Sequence, residues 1–201
     1  MRAPTPDHAT LFRLWRPDGE GPPALRLDQL ARALDPTAGA DAPGARNRRL
    51  LALRAGLDPS TPEAQVACPQ CGAENAFEPP FAAMLSAPPP DHDATVKIGA
   101  ASYRLPEWDD LIAVGADPAA LAQRCRVAGP ADAPFDGLAD AWAALDPAGA
   151  ATVDLTCADC GAAVTATLDP ADFVAAELDR LVNGLFRQID AIARAYGWSE
   201  T

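Results

Sequence analysis

VACPQCGAENAF, residues 66–77, sets a C-x-x-C-G turn between two short stretches of strand character, and the reading of the whole chain depends on it. Such a turn can hold a metal, carry thiol–disulfide chemistry or close a crosslinked loop. Residues 155–168, LTCADCGAAVTATL, repeat the pattern. Both copies place an apolar residue two before the first cysteine, read C-x-x-C-G-A, and run through a short strand to an acidic-Pro break. In a C-x-x-C turn the backbone folds back so that both thiolates aim at one centre, and the glycine that follows accepts a conformation a Cβ disfavours. Two such turns supply the four thiolates of a closed tetrahedral zinc site.

The duplication therefore predicts a structural zinc ribbon built from Cys68, Cys71, Cys157 and Cys160, one ion per chain, its second half beginning 86 positions after the first ends. A disulfide within each pair, or a redox dithiol, is the competing reading; the motif lacks a thioredoxin-like strand–helix setting. Unmetallated thiols or an iron–sulfur cluster form a third. A catalytic zinc is not expected, because such sites keep an open position and use His or carboxylate ligands. The chain has only His8 and His92, neither in a ligand pattern. Cys125, in AALAQRCRV on a predicted helix, reads as a small buried hydrophobe.

The totals fit a modest core. Of 201 residues, 49% are hydrophobic but only 6% aromatic, and alanine favours helix while burying little area. Pro 21 and Gly 14 predict several proline-rich connections. A net charge of -12, with no stripe of Lys and Arg, argues against a nucleic-acid partner. The densest basic cluster, RNRR at 46–49, reads as the solvated end of a helix. No apolar core follows the first arginine of MRAPTPDHAT and no run reaches the ~18 apolar residues of a membrane span, so a cytoplasmic location with reduced thiols is expected.

The predicted fold class is α+β, mostly helical, with a split four-cysteine ribbon, an inserted segment and a long C-terminal helix. Residues 1–62 form an N-terminal helical region, in which ATLFRLW, LRLDQLARAL and ARNRRLLALRAGL carry helical spacing. Residues 63–80 and 150–169 are the split ribbon. The insert, 81–149, starts with the loop SAPPPDHD, continues as a β-hairpin over TVKIGAASYRL and ends in three short helices from Pro106 to Leu145. Residues 170–201 hold the last helix, opened by Asp169-Pro170 and closed at Gly197. On it Leu178, Leu181, Val182, Leu185, Ile189, Ile192 and Tyr196 form one stripe, away from Glu177, Arg180, Arg187, Asp190 and Arg194. At ~1.5 Å per residue it is roughly 40 Å long, enough to span the domain or to reach a partner.

No phosphate-binding loop, dinucleotide fingerprint or H-E-x-x-H is present, so no enzymatic site is expected. Several stretches, in order, resemble the baseplate hub assembly chaperones of T-even-type phages, a family that also accompanies phage-like contractile tails and injection systems. They are RNRRLLALR, VACPQCGAENAF, YRLPEWDDLIAV, ALAQRC, WAALDPAGAATVDLTCADCGAAV and FVAAELDRLVNGLFRQIDAIARAYGWSE, the closing A-x-A-Y-G-W-S-E being the most specific. Members of that family continue past this tryptophan with a helical segment rich in Leu and Arg, whereas this sequence stops at Thr201.

The resemblance implies a non-enzymatic assembly chaperone, or a minor structural component, whose partners are baseplate hub or spike proteins. It directs attention to Tyr196 and Trp198, with Arg194 and Arg187, as the partner-binding surface, since aromatics desolvate much area with few rotors. The alternative is that both rings pack on the chain's own core. A zinc-ribbon adaptor of unrelated cytoplasmic machinery is the alternative function.

Overall fold

The computed structural model describes residues 9–11, 15, 23–58, 60–91, 93–115, 117–149 and 151–198. His8 and His92, and most of ATLFRLW, lie outside them. Helix α1, Pro23–Leu34, carries Leu27 and Leu30 at a one-turn spacing on its buried face. A short 3-10 turn, Ala38–Ala40, leads into α2, Pro43–Leu57, which begins with proline at its first position. Strands β1, Ala64–Ala67, and β2, Glu74–Phe77, then form an antiparallel hairpin with Ala67 opposite Glu74.

Helix α3, Phe81–Ser86, follows, a turn of structure that the flanking prolines hid in the sequence. Its Phe81 and Met84 pack under Leu51 of α2, and Phe81 meets Phe173 edge-to-face at 5.2 Å. The insert continues with β3, Thr95–Ile98, β4, Ala101–Arg104, α4, Trp108–Val114, α5, Pro118–Cys125, β5, Arg126–Ala128, and α6, Leu138–Leu145. The hairpin and three helices are present, but β5 adds to β4, making a three-stranded sheet in the order β3-β4-β5. Three residues directly after a helix carry too little alternation to signal a strand.

Strands β6, Ala151–Thr156, and β7, Ala163–Leu168, form the second ribbon hairpin, with Thr156 opposite Ala163. Helix α7, Pro170–Tyr196, completes the fold. The Asp169 carboxylate accepts from the Ala171 N–H at 2.8 Å at one end. Gly197, at φ 66°, closes the other, where the Trp198 N–H reaches the Ala193 carbonyl at 2.9 Å.

The main core lies between α1, α2 and the first half of α7. Leu27, Leu30, Leu50 and Leu53 meet Val174, Ala175, Leu178 and Val182, with Leu11 and Trp15 against them. Polar groups at its rim are paired. The Trp15 indole N–H donates to Asp179 at 2.9 Å, Arg26 donates to the same oxygen at 3.0 Å and stacks on Trp15, and Arg54 Nε donates to Glu177 Oε1 at 3.0 Å.

The RNRR cluster overturns its sequence reading as a solvated helix end. It occupies the first turns of α2 and is drawn inward. Arg46 is buried with its guanidinium 3.5 Å from the Trp108 ring centroid, and Arg49 bridges Asp35 and Asp41. The other end of the insert returns to the same place. Asp146, buried, accepts from the Gly44 N–H at 2.6 Å at the start of α2, and Asn47 donates to the Ala148 carbonyl at 2.9 Å. A Cβ at Gly44 would sit 1.9 Å from the Asp146 carboxylate, so only glycine admits this cap. The insert has its own small core of Tyr103, Ala122 and Leu138. Beside it Asp110 is buried among Arg104, Arg124 and the Glu107 N–H, at 2.6, 2.6 and 2.9 Å.

Candidate metal centre

The two C-x-x-C turns are built alike down to the hydrogen bond. In the first, the Cys68 N–H donates to the Ala73 carbonyl at 2.8 Å and the Gly72 N–H to the Cys68 carbonyl at 2.8 Å. In the second, the Cys157 N–H donates to Ala162 at 2.8 Å and the Gly161 N–H to Cys157 at 3.0 Å. Gly72 and Gly161 both take positive φ, 77° and 74°, the conformation the repeat required of them. Cys68 and Cys157 are buried and Cys71 and Cys160 exposed, so each turn contributes one inner and one outer sulfur.

The turns face each other and bring the four sulfurs within 4.8 Å of one another. Cys68 Sγ lies 3.7 Å from Cys160 Sγ, and Cys71 Sγ 3.6 Å from Cys157 Sγ. These pairs run between the turns, not within them, and are far too long for disulfides, whose sulfurs lie ~2.05 Å apart. With metal–sulfur bonds of ~2.3 Å, the edges of a tetrahedron of thiolates are roughly 3.8 Å. The cluster therefore fits a single four-coordinate ion, and it can hold one.

Electrostatics point the same way. The Cys157 thiol is pulled down to about 6, first by the backbone N–H of Cys160 and then by that of Asp159. The Ala73 N–H favours the Cys71 thiolate, yet the Cys160, Cys157 and Cys68 sulfurs around it and its loss of hydration push it up to about 12. Four thiols this close do not all ionise unaided. A cation at their centre removes that conflict.

Asn75 joins the two turns. Its amide donates to the Ala73 carbonyl at 3.0 Å and towards Cys157 Sγ at 3.8 Å, and its carbonyl accepts from the Ala158 N–H at 3.0 Å. Sequence reasoning missed it, although a signal exists. Laid on the repeat, Asn75 falls where the second copy has Val164, which packs against Cys68 and Cys157. A polar side chain at a position otherwise apolar marks the one that bonds across the site.

The remaining predicted residues lie far from the sulfurs in sequence. Tyr196 and Trp198 are 73% and 67% exposed, and their ring centroids are 5.8 Å apart, so the rings stack on each other and not on the core. Arg187 is exposed, and Arg194 pairs one turn back with Asp190 at 3.0 Å. Cys125 is fully buried, 3.8 Å from Asp110, and burial first, then the Asp110 charge, pushes its thiol up to about 12, as an inert core residue requires. Among the described residues no helix is long and apolar enough to cross a membrane. Comparison with protein-family models, with curated proteins and with solved structures finds no match to the chain.

Proposed function

We propose that the chain is a non-enzymatic assembly chaperone, or a minor structural component, of the baseplate hub of a phage-like contractile tail or injection system, acting in the cytoplasm around one structural zinc ion. The observation that carries the docking part is the aromatic pair Tyr196 and Trp198, held exposed at the capped end of a 27-residue helix. Two large rings left in water at the end of a rigid element are what an interface anchor needs. The assignment to a contractile tail rests on the order and spacing of the stretches that resemble the hub chaperones.

Zinc is the favoured ion because four thiolates at tetrahedral spacing form a closed site with no position for water. An iron–sulfur cluster interposes several irons and holds its cysteines further apart. Closing the site ties residues 68–71 to 157–160 and so fixes both ends of the insert. The role is that of a staple.

The test is co-expression of the tagged chain with hub and spike subunits of a contractile tail, beside a Cys157→Ser, Cys160→Ser variant, with metal analysis of each preparation. Specific capture and one zinc per chain, both lost in the variant, is the expected result. Failure to capture any hub or spike subunit, with zinc retained, removes the assembly role and leaves a zinc-ribbon adaptor of other machinery as the better reading.

A further inference from the structure

The stripe on α7 has a regularity that the domain uses only in part. Ala171, Ala175, Leu178, Val182, Leu185, Ile189, Ile192 and Tyr196 follow one another at alternating steps of four and three. This is the a/d spacing of a helix that packs along its length against another. A straight helix drifts only ~20° per heptad from this repeat, so both halves of the stripe look the same way. Ala171, Ala175, Leu178 and Val182 are buried against α1 and α2. Ile189 and Ile192, on the continuation, are 51% and 47% exposed, and Tyr196 and Trp198 more so.

We propose that this free half of α7 pairs with the same half of a second copy of the chain, the two helices running antiparallel. Three features select this occupant. The positions flanking the seam, Gln188, Ala193 and Ala195, are uncharged, and Arg187, Asp190 and Arg194 lie on the outer side. Two copies can thus meet without like charges opposed, despite a net charge of -12 on each.

The second feature is area. Ile189, Ile192, Tyr196 and Trp198 leave on the order of 500 Å² of largely apolar surface per chain, about 1,000 Å² for two, the size of a small, reversible interface.

The third is direction. In a parallel pair, the partner's residues 170–182 would occupy the face of α7 already filled by α1 and α2. In an antiparallel pair, each domain lies beyond the tip of the other helix. With the two-fold axis placed midway along the free half, Ile189 faces the partner helix near its Ile192 and Leu185 near its Tyr196, each contact occurring twice. The pairing occupies Tyr196 and Trp198, the residues of the proposed hub anchor, so a hub or spike partner would displace the second copy; the chain alone suffices to test the pairing.

The experiment is light scattering and sedimentation of the full chain with metal bound, at micromolar concentration. The panel is the natural sequence, Ile189→Asp, Ile192→Asp and, as a charge control on the distant hairpin, Lys97→Glu. The expected result is twice the chain mass for the natural sequence and Lys97→Glu. Both α7 variants should dissociate at least ~100-fold more readily, since each would bury an unpaired carboxylate in the seam, with unchanged helicity by circular dichroism. A photo-crosslinker in place of Tyr196 should label the partner near Leu185. A natural sequence of single-chain mass overturns the proposal, as does a dimer that survives both substitutions, or crosslinking confined to residues 193–198.

Discussion

Four sulfurs within 4.8 Å of one another and a row of apolar side chains on the free half of α7 are both more than the folded chain can satisfy by itself. A cation would complete the first, and another apolar surface the second. The ion would act inside one chain, tying residues 68–71 to 157–160, whereas the apolar surface would have to come from another molecule. On the reading proposed above, the same kind of local incompleteness serves stability in one region and association in the other. Damage to the ribbon should be read in melting curves, and damage to the tip in binding.

The largest effect expected from this contrast is that of metal removal. Structural zinc in small peptides is worth ~10–16 kcal/mol. Stripping the ion with a chelator should therefore abolish the ordered signals of residues 64–77 and 151–168 by NMR, while α1, α2 and the first half of α7 keep their helicity. Unchanged ribbon signals without metal would show that the hairpins stand alone and would end the comparison.

Next in size is the division of α7. Leu178→Ala should cost ~2–5 kcal/mol in denaturant unfolding, because a fully buried leucine leaves a cavity in the main core. Ile189→Ala, on the same stripe, should change stability by less than ~0.5 kcal/mol in dilute protein. Equal losses would mean that the helix is not divided into a buried and a free half.

Asp110 gives the case of a charge completed within the chain. Burial alone would raise its carboxyl, but the Arg104 guanidinium, the Glu107 N–H and Arg124 outweigh it and hold the group down at about 2. A carboxyl depressed in the folded state stabilises the fold above its unfolded value of ~3.9, and that contribution is lost as pH falls towards 2. The loss should be about 2 kcal/mol. It should be missing from the acid limb of the Asp110→Asn stability profile, a variant already destabilised because Arg104 and Arg124 lose their shared carboxylate. Asn75→Val should cost less than the loss of the Leu178 side chain or of the Asp110 charge, about 1 kcal/mol. Its metal affinity, measured by competition with a chromophoric chelator, should fall ~10–100-fold, the usual cost of losing a group that orients a ligand.

Much of the architecture is legible in the sequence because its signals are local. The glycine after each C-x-x-C, the Asp-Pro openings of α5 and α7 and the period of the long helix all act within a few residues. The ligand set is legible for a different reason: the repeat of one motif announces that its copies meet. What stays hidden depends on contacts distant along the chain. RNRR reads as solvent-facing because nothing nearby marks Trp108 and Asp35 as partners for Arg46 and Arg49. Strand β5 exists only because β4 offers it a free edge, and Asp146 caps a helix that begins 103 residues earlier. Whether Tyr196 and Trp198 turn inward or stay in water is likewise set by where the domain ends, which no helical period encodes.

The tip of α7 is either a binding element or a part of the fold. Trp198→Ala, co-expressed with hub and spike subunits and melted in parallel with the natural sequence, tests that most directly. Expected are capture by the natural chain, loss of capture in the variant and, in protein dilute enough for copies to stay apart, an unchanged melting temperature. A variant that still captures its partner, or that loses its fold along with its ring, would contradict a binding role for the tip.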